Sequence, residues 1–498
     1  AAGVSVRIPR SGHSGTHHNI VKQRIIAGFC AITLAVAPLR SLDAQGLPDL
    51  GESAQAEISP AAERRVGESF MRDMRWRDPA YLDDAEVEDY LNLIGGKLVA
   101  ASQEVRQNFD FFAVRDTTLN AFAWPGGFIG VHTGLILAAR SESELASVLA
   151  HEVSHVTQRH IVRMVGKSGQ NSLLALAGLV IAVLAARGNS DVAQAAIATS
   201  QAAAIQSQLG YTREFEREAD RVGLQTLQAA GYDARAMAGF FERLQQSGRL
   251  YENNAPSYLR THPLTTERIT DVENRVQALP YRQVPDSVEF HLVRAKLRAQ
   301  LGTPEEGLTE ARERLADKVL APGVAHYGLA RALARAKQYA GAEKAITDAR
   351  RAKLSHPMLE SLAGEIRLAQ GDATGAIAVF AEARKRFPVN RALVYAQVDA
   401  LSGAGRYQEA ADIVGRELSA RSSDAQLYRL QARALAGLGK QAAQHRALAE
   451  QYALQGNLVA AVEQLQVAQK AGDGDFYENS AIDARMRQLK AQQAEEKK

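Results

Sequence analysis

The amino-acid sequence predicts an α+β chain, mainly α, in which a domain with a small sheet is followed by an all-α repeat solenoid. Three observations carry this reading. Helical apolar periodicity fills most of the first half and yields to strand character in two short runs, 109–114 and 128–132. From about residue 289, small and apolar residues recur every 34 positions, the period of a helix–turn–helix repeat. Between these regions lie two helical stretches, near 141–156 and 211–220, that carry histidines and carboxylates in regular spacing.

At the N-terminus, Lys22 and Arg24 precede an apolar stretch from Ile25 to Leu39, and Ser41-Leu42-Asp43-Ala44 ends on a small residue. This is the pattern of a secretory signal peptide over 1–44, with cleavage after Ala44. The stretch is shorter than the roughly 20 residues that a transmembrane helix needs. Loss of 1–44 removes five basic residues and Asp43, which moves the net charge from +3 to −1. The apparent basicity belongs to the leader, so no nucleic-acid partner is expected. Cys30, the one cysteine, leaves with it, and the exported chain has no disulfide.

After an arm over 45–60, helical pattern covers 61–75 and 84–102, broken at Asp78-Pro79. The two strand runs follow, with Pro125-Gly126-Gly127 marking a tight turn before the second. Ser141, followed by Glu142 and Glu144, is a helix start, and Leu145, Val148, Leu149, Val153 and Val156 supply an apolar stripe. His151 and His155 border that stripe four residues apart, on one face of the helix. Two imidazoles so placed can share a zinc ion, with Glu152 positioned as general base.

A hydrolytic zinc site needs a third protein ligand. Glu216 and Asp220 share one face of the next helical stretch; Glu216 is a candidate ligand and Asp220 a candidate partner for an imidazole. Glu214 and Glu218 are rivals that spacing leaves open. The position ten residues after His151 is Ile161, which excludes the zinc proteases that place a third histidine there. His160 is one residue short and reads as a surface or supporting residue. The uninterrupted apolar segment 173–186 is too short to span a bilayer; it reads as a buried or lid helix, with membrane-surface contact as the other reading. Pro263 sets His262 in a loop.

The 34-residue spacing relates Ala342, Ala376 and Ala410; Ile346, Phe380 and Val414; and Gly371, Gly405 and Gly439. It indicates tetratricopeptide repeats, which stack into a solenoid whose concave face binds peptides or proteins. Gly456 follows Gly439 by half a period, so the array is irregular there.

H-E-x-x-H followed about 60 residues later by E-x-x-x-D resembles the pattern of M48 (Ste24/HtpX-like) metallopeptidases. Asn120-Ala121-Phe122-Ala123-Trp124-Pro125-Gly126-Gly127 and Thr261-His262-Pro263 agree with it, and the likeness covers essentially the whole mature chain. The resemblance implies a zincin-like metallopeptidase domain over 45–280, a linker at 281–288, repeats over 289–490 and a polar tail at 491–498. It implies one Zn2+ held by His151, His155 and Glu216, with Asp220 as supporting partner and Glu152 as the catalytic base. It gives His262 the fourth zinc position, where it would keep the enzyme latent. It also suggests that Phe128, Ile129, Gly130 and Val131 hold substrate in extended form. The implied setting is the periplasm, and the implied partners are protein substrates, outer-membrane β-barrel proteins and their assembly machinery. Two functions follow: a zinc metalloendopeptidase that selects clients through its repeats, or mainly a chaperone with proteolysis in reserve.

Overall fold

The computed structural model describes residues 58–103, 107–166, 213–250, 257–280 and 282–496. The expected signal peptide and the apolar segment 173–186, with its lid and membrane-surface readings, lie outside the described residues. Among those described, no helix is long and apolar enough to cross a membrane.

Helix α1 (Pro60–Arg77) begins where the Ser59 side chain accepts the Ala62 N–H and proline occupies the first turn. Helix α2 (Ala85–Ala101) begins at Asp84, whose carboxylate accepts from Glu86 and Val87. The sheet holds β1 (Asp110–Val114), β2 (Ala121–Trp124) and β3 (Phe128–His132) in the order β1-β3-β2. β1 runs parallel to β3 with Phe111 opposite Ile129, and β2 runs antiparallel with Phe122 opposite Gly130.

Two expectations change here. β2 was not expected, since four residues before a proline are too few to show an alternating pattern. More consequentially, β3 is the central strand and all five of its residues are buried. Its two edges are taken by β1 and β2, so Phe128, Ile129, Gly130 and Val131 have no free backbone to offer an extended substrate. In the antiparallel ladder the His132 N–H donates to the Asn120 carbonyl. By alternation, the N–H and C=O groups of Ala121 and Ala123 point to the outer side of β2.

Helix α3 (Thr133–Ala138) leads to α4 (Glu142–Thr157), which starts at Ser141 as the sequence predicts, the serine side chain accepting the Glu144 N–H. Every residue of α4 is buried. After α5 (His160–Gly166) come α6 (Arg213–Ala229), α7 (Arg235–Leu250), α8 (Ser257–Thr261) and α9 (Thr266–Gln277). His262 stands at the end of the short α8, its N–H bonded to the Tyr258 carbonyl at 2.8 Å, rather than in an open loop.

Helix α6 packs along α4, and Gly223 sets how close they come. A Cβ there would meet the backbone N of His151 at 3.1 Å and the Ala150 carbonyl at 3.2 Å. Gly223→Ala must therefore push α6, with Glu216 and Asp220, away from α4. We expect a loss of about 1–3 kcal/mol of stability and weaker metal binding, read by thermal melts and chelator competition.

The C-terminal half is a run of helix pairs: α10 (Val288–Arg298) with α11 (Pro304–Asp317), α12 (Pro322–Arg335) with α13 (Tyr339–Arg351), and α14 (Pro357–Ala369) with α15 (Ala373–Arg386). They continue as α16 (Arg391–Gly403) with α17 (Tyr407–Ala420), α18 (Ala425–Gly437) with α19 (Gln441–Leu454), and α20 (Leu458–Lys470) with α21 (Phe476–Glu496). The repeating alanines Ala342, Ala376 and Ala410 are fully buried where helices meet. Gly371, Gly405 and Gly439 take φ of +85°, +75° and +71° in the turn within successive pairs. Gly456 takes the same conformation one helix later, between α19 and α20, which accounts for the half-period step.

The solenoid grips the first domain by its acidic helix start. Lys296 of α10 lies 2.7 Å from both Asp84 and Glu86. Arg391 of α16 reaches Asp89 at 2.6 Å and Glu88 at 2.9 Å. Next to these, the buried Glu142 at the start of α4 accepts from the Ser287 hydroxyl at 2.6 Å, while its own N–H donates to Asp286 at 2.7 Å. The first turn of the histidine-bearing helix is thus tied to the first turn of the solenoid.

Candidate metal centre

Helix α4 presents His151 and His155 one turn apart, and α6 crosses it to bring Glu216 between them. Glu216 lies 3.4 Å from His151 Nε2 and 3.5 Å from His155 Nε2. The end of α8 adds His262, whose Nδ1 is 3.1 Å from Glu216 Oε1 and 3.4 Å from His151 Nε2. Ligand atoms of these four residues all lie within 4.8 Å of one another, and all four side chains are buried. His151 Nε2 and His155 Nε2 are 3.0 Å apart. Three nitrogens and a carboxylate oxygen converging on one point form a donor set suited to a tetrahedral zinc ion. Both Glu152 oxygens are buried without a hydrogen-bond partner, a cost that persists where another species completes the site.

The surroundings hold this set. Asp220 is 2.9 Å from His151 Nδ1, so it turns the other nitrogen of that ring inward. Arg268 of α9, which nothing in the sequence pattern singled out, is buried between carboxylates. It donates to both Asp220 oxygens at 2.7 and 2.8 Å, approaches Glu216 at 2.8 Å, and bonds the Pro263 carbonyl at 2.8 Å. One guanidinium therefore ties together Glu216, Asp220 and the residue after His262. Glu214 is exposed and Glu218 faces His160, so neither rival of Glu216 reaches the cluster. His160 is no surface residue: it is fully buried behind His155.

The electrostatics follow from crowding. Burial pulls the His151 imidazole down, but the adjacent carboxylates of Asp220 and Glu216 outweigh it and push its pKa up to about 9. Burial and the neighbouring His151 hold His155 well below the usual range. Burial opposes ionisation of Glu216, yet His262, His151 and His155 together keep it well below an ordinary carboxylate. Burial raises Glu152, against the opposing pull of His262 and His151. A base held in that direction is poised to take and return a proton.

His262 sits where it can block this chemistry. Its Nε2 is 3.4 Å from Glu152 Oε1 while its Nδ1 faces the ligand cluster. The ring thus spans the space between Glu152 and the converging atoms of His151 and Glu216. Tyr258 stacks on it with centroids 4.7 Å apart and an interplanar angle of 28°.

Comparison with known proteins agrees with this geometry. The model of "Peptidase family M48" matches residues 85–276, which include every residue of the cluster. The beta-barrel assembly-enhancing protease of Escherichia coli (strain K12) is 32% identical over 94% of this chain and 97% of its own length. A putative beta-barrel assembly-enhancing protease of Vibrio cholerae serotype O1 is 37% identical over 65% of this chain and 67% of its own. Among solved structures, the TPR protein YrrB matches 40% of this chain and 92% of its own with 16% identity and a TM-score of 0.23.

Proposed function

The chain belongs to peptidase family M48, and from that premise we propose that it is a zinc-dependent metalloendopeptidase of the periplasm that acts on proteins during outer-membrane β-barrel assembly. The observation that carries the proposal is the convergence of His151, His155, Glu216 and His262 beside the buried carboxylate of Glu152. When bound, zinc supplies Lewis acidity and acidifies a water. His151, His155 and Glu216 hold it, and Asp220 and Arg268 hold them. Glu152 takes the proton of the attacking water and delivers it to the leaving amine. Among the described residues no strand pairs with the outer side of β2, and the backbone groups there would keep a peptide extended.

The solenoid supports client selection. A cavity of about 280 Å³ opens among α10, α12 and α14, lined by Arg331, Arg335, Tyr339, Leu362 and Glu365. Its mixture of charge and apolar surface suits a protein segment. Because Lys296, Arg391 and Ser287 fix the solenoid to α2 and α4, a client held there is presented to the peptidase domain in a set position.

The position of His262 favours a second reading, in which the chain works mainly as a chaperone or assembly factor and keeps its peptidase closed. One experiment tests the peptidase proposal. The purified chain should cleave an unfolded β-barrel protein, lose that activity to a chelator, and regain it with added zinc. Cleavage that survives complete metal removal would refute zinc dependence. Rescue of outer-membrane assembly by the Glu152→Gln protein then separates the readings: full rescue favours the chaperone, and none favours proteolysis.

A further inference from the structure

The outer nitrogens of the two helical histidines are held by different chemistry. His151 Nδ1 faces a carboxylate, Asp220, at 2.9 Å. His155 Nδ1 instead faces another imidazole, with His160 Nδ1 at 2.8 Å. The far nitrogen of His160 lies 3.2 Å from Glu218 Oε2, and Arg163 engages the same oxygen at 2.8 Å. The row from the metal-binding cluster outward is therefore His155, His160, Glu218, Arg163.

Helical geometry alone does not produce this row. His160 follows His155 by five residues and would point to another side of a continuous helix. Helix α4 ends at Thr157 and α5 begins at His160, and between them Arg159 takes the left-handed region with φ +51°. An unfavourable conformation for a non-glycine residue persists where the surroundings fix it. Arg159 donates to the Ile58 carbonyl at 2.6 Å and forms an ion pair with Glu63. The break turns His160 back behind His155, where the Phe215 ring stacks on it at 4.6 Å and 15°.

We infer that His160 is a positioning residue for the metal centre: backed by Glu218, it fixes His155 in the tautomer that leaves Nε2 free to bind zinc. The inference rests on the metallopeptidase reading above. Two ring nitrogens 2.8 Å apart share one proton. If that proton belongs to His155, its Nε2 is bare. His160 Nδ1 then accepts, and the proton of His160 sits on Nε2 and donates to Glu218. If the proton belongs to His160, its Nε2 lone pair opposes the Glu218 carboxylate, and His155 carries its own proton among the ligand atoms. Only the first arrangement sets a donor rather than a lone pair against the Glu218 carboxylate. Glu218, placed by α6 two residues after the third ligand, thus selects the competent tautomer of the second ligand before any metal arrives.

The test compares zinc affinity, by chelator competition, of the full chain with His160→Ala and His160→Gln, alongside nitrogen NMR of the unaltered zinc-loaded chain. His160→Ala should bind zinc about 10–100-fold more weakly, the usual cost of losing such a support. His160→Gln should recover most of that, because its carbonyl accepts the His155 N–H. NMR should find the His160 proton on Nε2. Unchanged affinity in His160→Ala, equal weakness in the glutamine variant, or a proton on His160 Nδ1 would each overturn the inference. Should His160→Ala not fold, the NMR of the unaltered chain decides. Failure of the unaltered chain to bind zinc would remove the metallopeptidase reading as well, whereas normal binding by His160→Ala removes this inference alone.

Discussion

Glu152→Gln should reduce peptide hydrolysis by about 10²–10⁴-fold, the range expected for loss of a general acid–base group, while zinc stays bound. The substitution keeps the size and shape of the side chain and removes its capacity to accept a proton. It should not disturb the fold, because among the described residues neither Glu152 oxygen has a hydrogen bond to lose. Neutralising a fully buried carboxylate whose pKa burial already raises should leave stability equal or higher. The pairing of outcomes is informative. Lost activity with equal zinc content and an equal or higher melting temperature identifies a catalytic base, whereas persistent hydrolysis by purified Glu152→Gln would show that another group takes the proton.

His262→Ala should act in the opposite direction and raise peptidase activity. The ring lies between Glu152 and the ligand cluster, so a substrate carbonyl and a water cannot occupy that space until it leaves. A closed site populated about 100:1 over the open one lowers apparent activity roughly 100-fold, and removal of the side chain would return that factor. We expect a rise of at least about tenfold, abolished again in the double variant with Glu152→Gln. Tyr258 and Arg268 hold His262 in this place, one by stacking on it and the other through the Pro263 carbonyl. Unchanged or lower activity in His262→Ala would mean that the histidine assists the reaction rather than restrains it.

The residues that face the metal site were legible in the sequence because helical spacing is rigid. His151 and His155 four apart, and Glu216 and Asp220 four apart, land on single faces wherever their helices lie. The solenoid was legible for a related reason: its period repeats local contacts, and each glycine turn recurs with the same φ. What escaped depends on contacts between segments distant in sequence. Strand order is one such property, and it moved β3 from a presumed edge to the centre of the sheet. Arg268 is another, an arginine on an amphipathic helix that resembles any solvated one until two buried carboxylates meet it. The place of His160 stayed open between surface and support, because the helix it was projected on ends at Thr157 and the chain turns at Arg159. The structure also separated Glu216 from Glu218, which spacing alone had left as rivals.

The central claim is a closed zinc site whose fourth ligand is a histidine from the end of α8. X-ray absorption spectroscopy of the zinc-loaded chain, repeated on His262→Ala, tests it directly. The unaltered chain should show three imidazoles and one carboxylate around zinc, and the variant should lose one imidazole and gain a water. A water already present in the unaltered chain, with a coordination shell that does not change when His262 is removed, would contradict the account.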